Sequence, residues 1–249
     1  MPKLEPYHKN LPYSYALGIY PATVLIEARP EAARRLLLHP QGLDSEGVAL
    51  LREKCRALSI REEEAERVLR RESKKDNCFA AVVFDKYASP PEEDRPHVVL
   101  SQISDQGNLG TALRACLAFG IRDVALIRPC VDAFDPHAVR ASMGAFFHMN
   151  VETYDRFEDY RAAYPSHALY PFMLDGAVPL NDAARSRPER YALVFGNEAT
   201  GLPPSFKTMG QPVFIPQSKE VDSLNLSVAV ALGAYAFSCH TGNSHQVAF

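Results

Sequence analysis

The chain has 249 residues, 47% apolar and 23% charged, with 27 basic against 30 acidic side chains and a net charge of −3. That length suits one large domain or two small ones, either with a substantial core. The charge balance excludes a global positive field as the means of holding a nucleic acid, so any such contact must come from local patches.

Splitting the sequence at Pro96 does not change this, since residues 1–95 carry 16 basic and 16 acidic side chains and residues 96–249 carry 11 and 14. No apolar run reaches the roughly 18 residues of a membrane span, and the opening MPKLEPYHKN lacks a signal peptide's apolar core. Cys55, Cys78, Cys116, Cys130 and Cys239 are odd in number and lack metal-ligand spacing, so they read as free thiols in a reducing compartment, with the cytoplasm as the expected location and no metal.

Tyr7 to Pro21 reads as irregular and aromatic, Ala22 to Glu27 as a strand, and Pro30 to Leu38 as a short amphipathic helix. Asp44 to Ala57 and Arg61 to Arg71 read as helices, the second a solvated face laced with i,i+4 ion pairs. Phe79 to Phe84 is a buried strand. Ala88 to Pro96, with three prolines and four charges, continues neither kind of element and reads as a linker. The expected division is a first α/β domain over 1–90 and a second over 96–249.

In the second domain His97 to Ser104 reads as a strand, Thr111 to Phe119 as a helix stopped by Gly120, and Val124 to Ile127 as a strand. Pro136 to Phe147 and a stretch near Phe157 to Tyr164 read as helices, and Val151 to Tyr154, Ala168 to Leu174 and Tyr191 to Phe195 as strands. Strands alternating with helices predict an α/β fold with a mostly parallel sheet, whose ligands sit at the carboxyl ends of strands. After a short strand from Val213 to Ile215, Ser223 and Asn225 are both suited to capping the helix that opens at Leu226. That helix is apolar on every face and reads as buried.

Three polar clusters follow strand ends. In Asn108-Leu-Gly-Thr-Ala-Leu-Arg114 the plain reading is a capping Asn108, a tight turn at Gly110 and a surface Arg114; the functional reading sets Asn108 and Arg114 on a pocket rim, the guanidinium matching a phosphate. In Phe195-Gly-Asn-Glu-Ala-Thr-Gly-Leu202, glycines let backbone approach a ligand. The spacing there is neither a dinucleotide fingerprint nor a phosphate-binding loop. The third cluster is Ile215 followed by Ser223, Leu224, Asn225 and Ser227. Arg67, Arg70, Arg71, Lys74 and Lys75 form the densest basic run. It reads more readily as a solvated face balanced by Glu62 to Glu66 than as a phosphate-binding patch.

The order of NLGTALR, GNEATGL and IP followed by SLNLSVA resembles the signature set of the SpoU–TrmH (SPOUT) family of RNA ribose 2′-O-methyltransferases, over residues 97–238. Arg140-Ala-Ser-Met-Gly-Ala145 resembles the family's intermediate segment, and the first ninety residues resemble, by pattern, the small RNA-binding α/β domain that many members carry in front. The resemblance implies a C-terminal trefoil knot, S-adenosyl-L-methionine as methyl donor, and a homodimer acting on structured RNA, ribosomal before transfer RNA. It implies donor contacts around Gly196, Ile215 and Leu224, and roles in catalysis for Asn108, Arg114, Glu198, Ser223 and Asn225. The alternatives are a transfer-RNA ribose methyltransferase, a silent RNA-binding module of the same fold, and a small-molecule α/β enzyme sharing the loops. Lys219-Glu220-Val221-Asp222, a charged approach to Ser223, departs from the family pattern, and no role is assigned to Ser238 to Phe249.

Overall fold

The computed structural model describes residues 4–74, 77–175 and 177–239, so Lys75 and the tail beyond Cys239 lie outside it. The chain divides into two units: one holds residues up to 88 with 106–114 and 132–148, the other 89–105, 115–131 and the chain from 149 on.

The first unit is built on a four-stranded sheet in the order β1 (Tyr13–Leu17), β4 (Ala80–Asp85), β2 (Ala33–Leu38), β3 (Arg61–Glu64). The β1–β4 and β4–β2 pairs are antiparallel and the β2–β3 pair is parallel. Its helices are α1 (Ile19–Ala28), α2 (Glu46–Ala57) and α3 (Glu66–Ser73), joined by α5 (Pro136–Ala141) and the first part of α4 (Gln106–Ala118) from the later segments of the chain. Tyr15, Leu17, Leu37, Ala81 and Val83 form a core with Leu69 of α3.

Four sequence expectations are corrected here, the first being that Tyr7 to Pro21 is not irregular throughout, since it holds β1 and the start of α1. Ala22 to Glu27 lies in helix α1, not a strand. Gly18, at φ 99°, turns the chain out of β1, and Pro21 in the first helical turn gives up an amide that had no intrahelical partner anyway. Pro30 to Leu38 is a single turn of 3-10 helix followed by β2, because Ala33–Leu38 is captured between β4 and β3. Arg61 to Arg71 splits into β3 and α3 where the Ala65 amide donates to the Leu38 carbonyl.

The expected pairing of charge is present. Arg70 meets Glu66 at 2.9 Å and Arg71 meets Glu72 at 2.6 Å. Arg52 and Arg56 both bond Glu62, and the Arg52 hydrogen bond leads in holding that carboxyl down at about 2.

The second unit carries a five-stranded sheet in the order β7 (Asn150–Tyr154), β6 (Asp123–Ile127), β5 (His97–Ser101), β10 (Tyr191–Phe195), β8 (Ala168–Pro171). Every pair in it is parallel, as the alternation of strands and helices predicts. Chain order runs outward from β5 through β6 to β7, then resumes at β8 and β10 on the other side. The direction of winding therefore reverses between β5 and β10, where ligands bind in such sheets. Beyond β8 a short parallel pair joins β9 (Val178–Pro179) to β11 (Val213–Phe214). The helices of this half of the sequence are α4 (Gln106–Ala118), α5 (Pro136–Ala141), α6 (Phe157–Ala163), α7 (Leu180–Arg185) and α8 (Leu226–Cys239).

Helix α4 starts five residues before the expected Thr111. Gly110 therefore sits inside a helix, and its role is not a tight turn. A Cβ there would lie 2.5 Å from the Ala138 carbonyl oxygen and 2.5 Å from the Ala141 methyl, so the glycine admits α5 against α4. The helix expected over Pro136 to Phe147 stops at Ala141, since Met143 (φ 49°) and Gly144 (φ 81°) are both left-handed, and a 3-10 turn follows. β9 and α7 were not expected at all. Helix α8 is not buried on every face: Val228, Leu232 and Tyr235, at i, i+4 and i+7, are 46%, 38% and 54% exposed.

His97 and His167 stack at 4.0 Å, buried beside Tyr160 and Tyr164. Each Nε2 faces a carbonyl, Glu92 for His97 and Arg95 for His167, so Nε2 carries the proton and the His97 Nδ1 accepts from the Tyr160 hydroxyl. Burial depresses both, His97 to about 4. A histidine lowered in the folded state contributes stability while neutral and loses it as pH falls below the unfolded value of roughly 6.5. Urea denaturation should show the unfolding free energy falling by on the order of 2 kcal/mol between pH 7 and pH 5 from His97 alone. A flat profile across that window would contradict a neutral buried pair.

Candidate active site

A cavity of about 440 Å³ opens in the second unit at the carboxyl edge of β8 and β10. Its floor is the stacked pair Phe172 and Phe195, 4.2 Å between ring centres. Gly233 of α8 makes room for that pair, since a Cβ there would lie 2.8 Å from the Phe172 ring and 3.0 Å from the Phe195 ring.

One wall is the loop 196–202. The Asn197 side-chain oxygen accepts from the amides of Ala199 and Thr200 at 2.9 and 3.1 Å, an Asx-type turn, and the Gly201 amide closes onto the Asn197 carbonyl at 2.9 Å. Gly201 is left-handed at φ 67°. A Cβ on Gly196 would lie 2.2 Å from the Gly201 carbonyl carbon, so the loop folds back on a backbone that only glycine permits.

The facing wall is the approach to α8: Ile215, Gln217, Asp222, Ser223, Leu224 and Leu226. The Asn225 side-chain oxygen accepts from the Ser227 amide (2.9 Å) and hydroxyl (2.7 Å), so Asn225 is the residue that caps this helix.

The structure thus brings Gly196, Glu198, Ile215, Ser223 and Leu224 to one cavity, with Asn225 just behind its wall. Asn108 and Arg114 lie on the part of α4 that belongs to the first unit and do not line this cavity. Six residues apart on a helix, they point about 120° apart with about 9 Å of rise, so α4 does not itself pair them. Arg114 is exposed and makes no ion pair or side-chain hydrogen bond to the described residues. Sequence reasoning passed over Asn197, although an Asn directly after a strand-ending glycine is a turn signal. It also passed over the Phe172–Phe195 floor, which needs two strands to be neighbours before it exists.

The lining decides what kind of ligand fits. Asp175, Glu198 and Asp222 contribute three carboxylates, of which Asp175 is paired with Lys207, and no lysine or arginine appears among the described lining residues. A phosphate would meet a net negative lining there, while a ligand with an aromatic part and a positive centre meets apolar faces and negative charge.

Fold and site together define a parallel α/β protein with a small-ligand cavity at the carboxyl edge of β8 and β10, one strand from its winding reversal. The model of the SpoU rRNA Methylase family matches residues 95–235, and the chain belongs to that family. It is 30% identical over 167 residues to an uncharacterized tRNA/rRNA methyltransferase of Synechocystis sp., an alignment covering 64% of this chain and 59% of the relative. It is 28% identical to the 23S rRNA (guanosine(2553)-2′-O)-methyltransferase of Bacillus subtilis, over 58% of this chain and 60% of that one. The chain therefore spans about three fifths of the length of these curated relatives. Among solved structures, the AdoMet-bound rRNA methyltransferase from Sinorhizobium meliloti superposes with a TM-score of 0.77 at 26% identity, covering 92% of this chain and 88% of that one. That likeness reaches well ahead of residue 95 into the first unit.

Proposed function

We propose that this chain transfers a methyl group from S-adenosyl-L-methionine to a ribose 2′-hydroxyl of structured RNA, ribosomal in preference to transfer RNA. The observation that carries the reading is the anionic, glycine-walled cavity at the carboxyl edge of β10 in a member of the SpoU family. The B. subtilis relative's 2′-O chemistry and the donor bound in the S. meliloti structure support it. When bound, the donor supplies an electrophilic methyl on a sulfonium.

The residues present fit such a group. Backbone at Gly196, Ile215 and Leu224 can hold adenine and ribose, the Phe172–Phe195 floor gives an apolar base, and the cavity's carboxylates favour positive charge.

A ribose hydroxyl is a weak nucleophile and must shed its proton as it attacks. As the oxygen–methyl bond replaced the sulfur–methyl bond, the sulfonium would leave as a neutral thioether and the proton would pass to solvent water; Arg114 would not take it, because a guanidinium does not deprotonate in proteins. Its role is to bind the phosphate next to the target ribose and align the hydroxyl with the methyl, a positioning effect. Asn108, in the first turn of the same helix, contacts the ribose. Asn225 and Ser223 shape the cavity mouth, and Asn225 does so through the helix cap it already makes.

Around this chemistry we place a first domain that grips RNA, a C-terminal chain threaded as a trefoil knot, and a homodimer in the cytoplasm. The uncovered stripe Val228, Leu232 and Tyr235 supports a second copy packing on α8. The free thiols support a reducing compartment. A purely monomeric species in sedimentation would remove the dimer from this account.

The experiment has two arms. Donor at about 100 times its dissociation constant should add roughly 2.7 kcal/mol to stability in thermal melting. RNA from cells lacking the protein, incubated with protein and labelled donor, should gain ribose methylation at a mappable nucleotide. No melting shift sinks the donor site. A shift without methyl transfer leaves only the silent RNA-binding alternative.

A further inference from the structure

Helix α4, which carries Asn108 and Arg114, is entered from the four residues that follow β5. Those residues are unusually constrained. Gln102 is in the left-handed region at φ 60°, a conformation that a non-glycine residue keeps only where its surroundings over-determine it. Its amide donates to the Ile127 carbonyl at the end of β6 (3.0 Å), and its carbonyl accepts from the Asn197 Nδ2 (2.8 Å). Ile103 is fully buried, and its carbonyl accepts from the Val131 amide at 3.0 Å. Ser104 donates from both its amide (3.4 Å) and its hydroxyl (3.2 Å) to the Glu198 Oε2, which also takes the Asn197 Nδ2 at 3.4 Å. Two residues later α4 begins. These contacts lie at the winding reversal, where β5 and β10 are parallel neighbours in register Leu100 to Phe195.

We infer that Asn197 and Glu198 form a clasp that fixes the entry to α4, and that Glu198 is a positioning residue for Arg114's helix rather than a proton-transfer group. The inference rests on the methyl-transfer reading for its effect on rate, though the clasp itself can be observed without it. Asn197 has two jobs: its oxygen builds the cavity loop and its amide nitrogen holds the Gln102 carbonyl. A disturbance of the donor loop is thereby passed to the segment that feeds α4.

Ser104 and Gln102 do not line the cavity, so they separate clasp from donor binding. Glu198→Gln keeps an acceptor oxygen for Ser104 and cannot act as a base. If the clasp is what matters, Glu198→Gln, which also takes one negative charge from the donor cavity, raises KM for the donor but at saturating donor loses less kcat than Glu198→Ala, which loses about tenfold, and its pH–rate profile follows that of the unaltered protein. Ser104→Ala should lower kcat by about threefold with unchanged donor affinity, and adding it to Glu198→Ala should cost little more, since Glu198→Ala already removes the one hydrogen bond that Ser104→Ala takes away.

Amide hydrogen exchange across residues 102–105 gives a readout independent of turnover, faster in Glu198→Ala and near normal in Glu198→Gln. If Glu198→Gln is as inactive as Glu198→Ala, or exchange at 102–105 is the same in all variants, the clasp is wrong. If the unaltered protein shows no turnover while exchange responds as stated, the clasp stands and the methyl-transfer reading fails.

Discussion

Arg114→Ala is expected to lower methyl transfer by about 10²-fold or more while leaving donor affinity within about twofold. The separation follows from where Arg114 sits. It is not among the residues lining the donor cavity, so its loss removes nothing that would hold the donor. It is exposed and unpaired with the described residues, so its loss does not strand a buried partner or unfold α4. A rate loss can then be read as lost alignment of the acceptor. Arg114→Lys makes the comparison sharper, because an ammonium keeps the charge but cannot grip a phosphate with two parallel hydrogen bonds. It should recover part of the rate, with more of the loss in kcat than in KM for RNA. Single-turnover rates with saturating donor, set beside donor affinity from calorimetry, give both quantities. Near-normal turnover in Arg114→Ala would take Arg114 out of the mechanism and leave the acceptor side to other residues.

The contrast between the two halves of the chain shows what the sequence could and could not convey. In the second half β10 was expected at Tyr191 to Phe195 and is found at those residues, because its unbroken apolar run is what a strand buried on both faces needs. In the first half the same kind of evidence misled. ATVLIE is as apolar and β-branched as a strand, yet it is helical, because an apolar run this short does not distinguish the two and the left-handed Gly18 and Pro21 around it set a helix start. ARRLLL reads like one face of a helix, but its place between β4 and β3 overrides that preference.

The motif residues were legible as a set, while their division of labour was not. Gly110, Asn197 and Gly233 owe their roles to segments far away in sequence: Ala138 and Ala141 for the first, Gln102 for the second, Phe172 and Phe195 for the third. The uncovered stripe on α8 was invisible for a related reason. Composition shows that a helix is apolar all round, but only packing shows which of its faces found a neighbour.

The donor side has its own decisive substitution. Gly196→Ala places a methyl 2.2 Å from the Gly201 carbonyl carbon and 2.4 Å from both the Gly201 oxygen and the Leu202 nitrogen. These are backbone atoms, with no flexible side-chain end to swing away. The end of β10 is pinned by its pairing to β5 and β8, so the strain must open the loop 196–202. That loop is a cavity wall, and its closure depends on the Asn197 turn and the Gly201 amide. Overpacking of this kind costs about 1–3 kcal/mol, so donor affinity should fall by roughly 10- to 100-fold. Gly120→Ala supplies the control: it is left-handed at φ 79° with no atom within 4 Å of a Cβ, and it lies outside the cavity lining. That variant should lose about 1 kcal/mol of stability through backbone strain and bind donor normally. Calorimetric titration of both variants distinguishes a damaged cavity from a weakened fold. If Gly196→Ala binds donor as tightly as Gly120→Ala does, the loop 196–202 is not the wall that holds it.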